Sequence, residues 1–157
     1  MTEDTLIEIL EVTQSSSENS EFLWGCNIDM PNHGDRTDSH NILFKGWVLG
    51  QKYRAIAVEL ISSGETIETI AVDHSRPDVF EVYPHVSYAK NSGFLVELEV
   101  GKLLRAGELV LEAIFSDGSR VKIGEVEYQK KLPFLQQVQA DLDRSKIWLQ
   151  NIQGECK

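Results

Sequence analysis

The chain has 157 residues, of which 41% are hydrophobic, 25% charged and 8% aromatic, the profile of one globular domain rather than a low-complexity or collagen-like chain. Fifteen basic residues against 25 acidic ones leave a formal net charge of −10, so repulsion from phosphate argues against nucleic acid and anionic membrane surfaces as main partners. No stretch is apolar for long enough to span a bilayer, and Met1 to Glu21 has neither a basic residue nor a signal-like apolar run. A cytoplasmic location is the expectation.

Residues 1–21 read as an acidic N-terminal arm. Within it, Leu6 to Val12 is apolar and partly β-branched, which favours a short strand, although Thr5 and Glu8 have the spacing of a helix capping box. Gln14 to Ser20 is a polar linker into a body spanning residues 22–131. That body alternates strands and turns. Asn41–Leu49 is rich in β-formers. Arg54–Ser62 places Ile56, Val58 and Leu60 on one face, Ser63-Gly64 is a turn signal, and Thr66–Val72 returns as the second arm of a hairpin. Phe94, Val96, Leu98 and Val100 share a face, as do Leu109, Leu111, Ala113 and Phe115. Asp117-Gly118 then makes a hairpin turn into Val121, Ile123, Val126 and Tyr128, whose alternation breaks at Gly124 as a bulge would.

Two interior stretches read as helical. Ser75 to Tyr83 has Ser75 as cap, Pro77 in the first turn and Asp78 near the positive end, with Pro84 as the stop. Lys102 to Arg105 makes at most one turn. About seven short strands at this spacing predict an all-β fold, an antiparallel β-sandwich with a short inserted helix. Its expected core is Trp47, Ile56, Val58, Phe94, Val96, Leu98, Leu109, Leu111 and Phe115.

Residues 132–157 change character. Leu135, Val138, Leu142, Leu149 and Ile152 lie at three- and four-residue steps once Ser145 is counted, with Pro133 suited to a first turn. This predicts a C-terminal amphipathic α-helix that packs on the sandwich, pairs with a second copy or meets a partner helix.

Chemical motifs are sparse. The loop Asp29–His40 gathers Asp29, His33, Asp35, Asp38 and His40, but no metal-ligand spacing, so it reads as a solvated loop with no metal. Asp73-His74-Ser75 sets three triad residue types side by side, whereas neighbours on a strand point to opposite faces. With no nucleophile elbow, no zincin motif and no phosphate loop, neither a cofactor nor catalysis is expected. Cys26 and Cys156 form no paired motif and read as two free thiols, the alternative being a disulfide that links the termini. Trp24, Trp47, Tyr53, Tyr83, Tyr88 and Tyr128 could stack on sugar rings. Trp47 and Tyr83 read as packing. The candidates for ligand contact are His85, Tyr88 and Asn91, in the loop Pro84–Gly93.

The residues also form an ordered series. Asn27-Ile28-Asp29-Met30-Pro31, Gly46-Trp47-Val48-Leu49, Arg76-Pro77-Asp78-Val79 with Tyr83-Pro84, Asn91-Ser92-Gly93-Phe94 and the hairpin Leu109 to Gly124 occur in this sequence. Over about residues 22–128 the chain resembles a bacterial immunoglobulin-like β-sandwich module. That module recurs in cell-surface proteins and beside glycosyltransferase, methyltransferase or sulfotransferase domains. The Gln-rich stretch Gln136 to Ser145 is similar to linkers that follow it in polysaccharide-modifying proteins. The resemblance implies no catalytic residues. It implies that Gly93 marks a position a side chain would obstruct, that Pro77 and Pro84 bracket a helix, and that Asp78 caps it. The expected function is a non-catalytic accessory module that binds a saccharide or positions an enzyme domain on one. The alternative is a structural or protein-interaction domain that associates through the C-terminal helix.

Overall fold

The computed structural model describes residues 6–15, 21–37 and 40–131. The expected C-terminal helix with its apolar stripe, most of the linker Gln14–Ser20, and Asp38 and Cys156 lie outside the described residues.

Nine strands are described, against about seven expected: β1 (Leu6–Gln14), β2 (Leu23–Met30), β3 (Arg36–Thr37), β4 (Asn41–Gly50), β5 (Ala55–Ser62), β6 (Glu65–Ala71), β7 (Gly93–Glu99), β8 (Ala106–Phe115) and β9 (Arg120–Lys131). They form two antiparallel sheets, one of six strands in the order β3-β1-β9-β8-β5-β6 and one of three in the order β2-β4-β7. The core lies between them. Ile9, Val58, Leu60, Leu109, Leu111, Ile123 and Val126 from the large sheet meet Ile28, Ile42, Phe44, Val48, Phe94 and Leu98 from the small one. The β-branched N-terminal segment is an interior strand, with β1 between β3 and β9 and Ile7 and Ile9 buried. β3 has only two residues, too short for any periodicity to reveal.

Strand parity follows the alternation except where a bulge resets it. The Gly124 break is a bulge, since Leu111 pairs with Gly124 and Glu112 with Lys122, leaving Ile123 between. A side chain at Gly124 would meet Ile28 Cδ1 at 2.5 Å and the Thr13 carbonyl at 2.6 Å, so the position needs glycine where the two sheets approach. A second bulge overturns an expectation. Ala55 pairs with Phe115 but Ala57 with Ile114, which shifts the face by one residue. Ala55 and Val58 turn inward and Ile56 is 48% exposed, so Ile56 is not core. Trp47 and Val96 are only partly buried, and Trp47 packs outside the main core.

The hairpin turns match their residues. Ser63 and Gly64 both have positive φ, 51° and 82°, the backbone a type I′ turn requires. After β8, the Asp117 carboxylate accepts from the Ser119 N–H at 3.0 Å and hydroxyl at 2.6 Å, closing the turn at Gly118.

Deep burial and the displaced parity give a paired test by urea denaturation. Leu111→Ala, at a fully buried site, should lower stability by about 2–5 kcal/mol. Ile56→Ala should change it by about 0.5 kcal/mol or less.

Candidate functional site

The small sheet has two unlike faces. Ile42, Phe44 and Val48 of β4 point into the main core, so Trp47 and Leu49 point outward. The segment between β6 and β7 folds over that outer face. It holds helix α1 (Pro77–Val82) and a 3-10 turn (Ser87–Asn91). Leu49, Val79, Val86 and Ala89 form a second small core there, ringed by Trp47, Phe80, Tyr83 and Tyr88. A six-residue helix buries little by itself, so it is held by specific polar bonds.

Arg76 supplies them. Its Nη1 donates to Asp29 Oδ2 at 2.7 Å, while Nε and Nη2 donate to the two oxygens of Asp78 at 2.9 and 2.8 Å. The fork-shaped guanidinium, 15% exposed, thereby joins the end of β2 to the first turn of α1. Asn27 Nδ2 donates to the other Asp29 oxygen at 2.6 Å. The guanidinium beside Asp78 holds that carboxyl down to about 2. Two expectations change here. The helix N-cap is Arg76 rather than Ser75, with no side-chain cap bond, and Asp78 pairs with Arg76 rather than serving chiefly as a cap. The Gly93 expectation stands: a Cβ there would meet Arg76 Cγ at 2.8 Å and His74 Cβ at 3.0 Å. At Gly46 a Cβ would strike the Asn27 carbonyl and the Phe94 ring. The motif residues are thus neighbours in space and build one joint.

Beside this joint lies an aromatic surface. Trp24 sits at a bulge in β2, between Leu23 opposite Gly50 and Gly25 opposite Leu49, and is 38% exposed. Its ring meets His85 edge-on, with centroids 5.3 Å apart and planes at 86°, and Tyr83 at 6.3 Å. Trp47 backs Tyr83 at 6.2 Å. The Tyr83 hydroxyl donates to the Trp24 carbonyl at 3.1 Å, which fixes the rings relative to the backbone. Aromatic pairs in such tilted and edge-to-face geometry hold their positions without a disulfide or metal.

The three ligand candidates separate. His85 is exposed and belongs to the aromatic surface. Tyr88 is half-buried in the second core, with its hydroxyl donating to the Gly50 carbonyl at 2.8 Å, a packing role. Asn91 is exposed at the end of the 3-10 turn, and no ring or hydrogen-bond contact joins it to His85 among the described residues. Tyr53 is exposed, while Tyr128 is buried in the main core. Trp24 lies outside the expected ligand-contact set of His85, Tyr88 and Asn91; its position before Gly25, in an apolar run that ends at a polar loop, is the sequence signal for it.

The acidic loop is occupied by its own bonds. Asp29 is taken by Arg76 and Asn27, and Asp35 accepts from the Asn32 N–H at 2.8 Å. Among the described residues no three His, Cys, Asp or Glu side chains group closely enough to hold a metal ion. Asp73 and His74 are exposed and lie 3.5 Å apart, while the His74 backbone exchanges both its hydrogen bonds with Gly93. Burial pushes the Cys26 thiol up to about 11, which keeps it protonated and unreactive at neutral pH. No helix among the described residues is long and apolar enough to cross a membrane.

Removing the Arg76 fork leaves Asp29 without its cation. Arg76→Met should cost about 2–3 kcal/mol, less than a fully buried pair because Asp78 faces solvent. Acid should show the same bond. Asp78 is held near 2 against an ordinary 3.8, and Lys131, Gln129 and Arg36 hold Glu8 near 2 against 4.5. Both carboxylates titrate lower folded than unfolded, so their contribution is complete above the unfolded values and is lost as pH falls toward 2. Thermal unfolding midpoints across that window should decline, and decline less steeply in Arg76→Met.

No family model, curated protein or solved structure matches this chain.

Proposed function

We propose that the chain is a non-catalytic accessory module of immunoglobulin-like type that binds a glycan and positions a polysaccharide-modifying enzyme domain on it. Strand order supports the type. With β2, β4 and β7 taken as strands A, B and E, and β5, β6, β8 and β9 as C, C′, F and G, the sheets read A-B-E and C′-C-F-G. That order is compatible with an immunoglobulin-like arrangement lacking strand D, with α1 and the 3-10 turn in the C′–E crossover and β1 added beside G.

The observation that carries the binding role is the exposed Trp24 ring held edge-on to His85 and backed by Tyr83. A pyranose presents an apolar C–H face and a polar rim. An indole pinned at a strand bulge, with imidazole beside it, suits both. A rigid ring also loses little entropy on binding. The net charge of −10 favours a neutral glycan over a polyanionic one.

Affinity electrophoresis through gels containing neutral or acidic polysaccharides checks this reading. Retardation by a neutral polysaccharide is expected, and Trp24→Ala should reduce it by about tenfold in affinity, equivalent to one lost stacking contact of the aromatic kind. Equal mobility of wild type and Trp24→Ala in every gel would sink the proposal.

A further inference from the structure

β2 and β4 run together only as far as Met30, which pairs with Lys45. β4 itself begins at Asn41, and among the described residues Ile42–Phe44 pair with a strand on one side only, Val96–Leu98 of β7. The chain leaves β2 through Pro31, crosses to the large sheet, pairs there as β3 with Ile7 and Glu8, and returns at Asn41. That departure leaves a cleft of about 400 Å³ beside the start of β4, with Met30, Pro31, Arg36, Leu43 and Glu97 among its walls.

Backbone direction decides what the cleft offers. Along a strand, successive residues aim their N–H and C=O to opposite sides. The Val48 N–H donates to the Ser92 carbonyl at 3.0 Å, and the His40 carbonyl accepts from Val100 at 2.8 Å, so even-numbered residues here face β7. The Gln51 N–H donates to the Phe22 carbonyl at 2.8 Å, so odd-numbered ones face β2. Leu43 accordingly aims its N–H and C=O to the side where β2 has already ended, and neither has a partner among the described residues. The outer edge of β2 shows the contrast. There the Ile28 N–H and C=O are both taken by the Gln14 side-chain amide, each at 3.0 Å. One edge is closed by a side chain and the other is open inside a cleft.

We propose that this cleft binds an extended peptide, which adds to β4 at Leu43 where the continuation of β2 is missing. A donor and an acceptor on one edge residue match a peptide backbone. Side-chain preference follows from the walls. Met30, Pro31 and Leu43 favour an apolar residue. Arg36 is engaged by Glu8 at 3.3 Å and Asp35 by the Asn32 N–H at 2.8 Å, which leaves the Glu97 carboxylate to favour a basic one. The partner is an extended segment that alternates apolar and basic side chains.

The test is a titration of the full ¹⁵N-labelled chain with an acetylated, amidated hexapeptide alternating valine and lysine. Three further peptides accompany it: one with glutamate for lysine, and two N-methylated on either the valine or the lysine amides. The Leu43 amide resonance should shift and saturate with the lysine peptide, and less with the glutamate one. One N-methylated register should lose about tenfold in affinity, since it removes backbone bonds while keeping the charge. Leu43→Pro removes the open N–H without touching the β7 ladder and should abolish binding. If that variant does not fold, the N-methylated pair carries the test. An unmoved Leu43 resonance at millimolar peptide overturns the proposal, as does equal binding of both N-methylated forms. So does a Leu43 shift that depends on protein concentration, or nuclear Overhauser contacts from residues 132–157 to Leu43, because the occupant is then a second copy or the chain's own tail.

Discussion

The outer layer of this protein hangs on one guanidinium. Arg76 is mostly withdrawn from water, and a charge in that position must be paired or the segment carrying it will not dock. Its two partners come from different elements, Asp29 at the end of β2 and Asp78 in the first turn of α1. The planar fork sets angles as well as distances, which a lysine could not do. Because α1 is too short to persist alone, the position of Val79, Tyr83 and the rings beyond them depends on this bond pair. The close approach that permits it falls on glycine: a side chain at Gly93 would strike the Arg76 stem.

The two sheets are joined by equally specific means. At Gly124 the absence of a side chain lets Ile28 and the Thr13 backbone close in. One residue further along β1, the Gln14 amide exchanges two hydrogen bonds with Ile28, so a side chain of the large sheet completes the edge of the small one. On the exposed face of the large sheet, Glu59 and Glu112 sit on paired strands as like charges, and Arg120 bridges them at 2.6 and 3.2 Å. Such a pattern keeps a broad open sheet polar and discourages stacking of copies.

The aromatic surface and the cleft beside β4 arise from the same cause, interruption of β2. A bulge near its start turns Trp24 out beside Tyr83 and His85. A second irregularity, between Ile28 and Met30, precedes its exit, frees Asp29 for Arg76 and leaves the Leu43 flank of β4 without a strand partner among the described residues. Bulges are common where a sheet must aim a side chain or stop pairing. In this domain they separate the regular core, which is packing, from the irregular rim, where both proposed binding surfaces lie.

Sequence alone determined the sheet-forming class and most inward faces. Strict alternation in β8 and in Phe94–Leu98 admits one register against a core, and Ser63-Gly64 and Asp117-Gly118 specify their turns through local backbone preference. It also marked Gly124 as a bulge, because the periodicity itself breaks there. It misplaced Ile56, since a bulge between Ala55 and Ala57 exists only through pairing with β8 and leaves no mark in β5. Local rules make Ser75 the cap and put Asp78 near the positive helix end, and the resemblance makes Asp78 a cap, while the deciding contact is Asp29, 47 residues away from Arg76. His85 was legible as an exposed loop residue. Its contact with Trp24, the burial of Tyr88 and the open edge at Leu43 were not. Each depends on which strand lies beside which, and tertiary pairing rather than local propensity decides that.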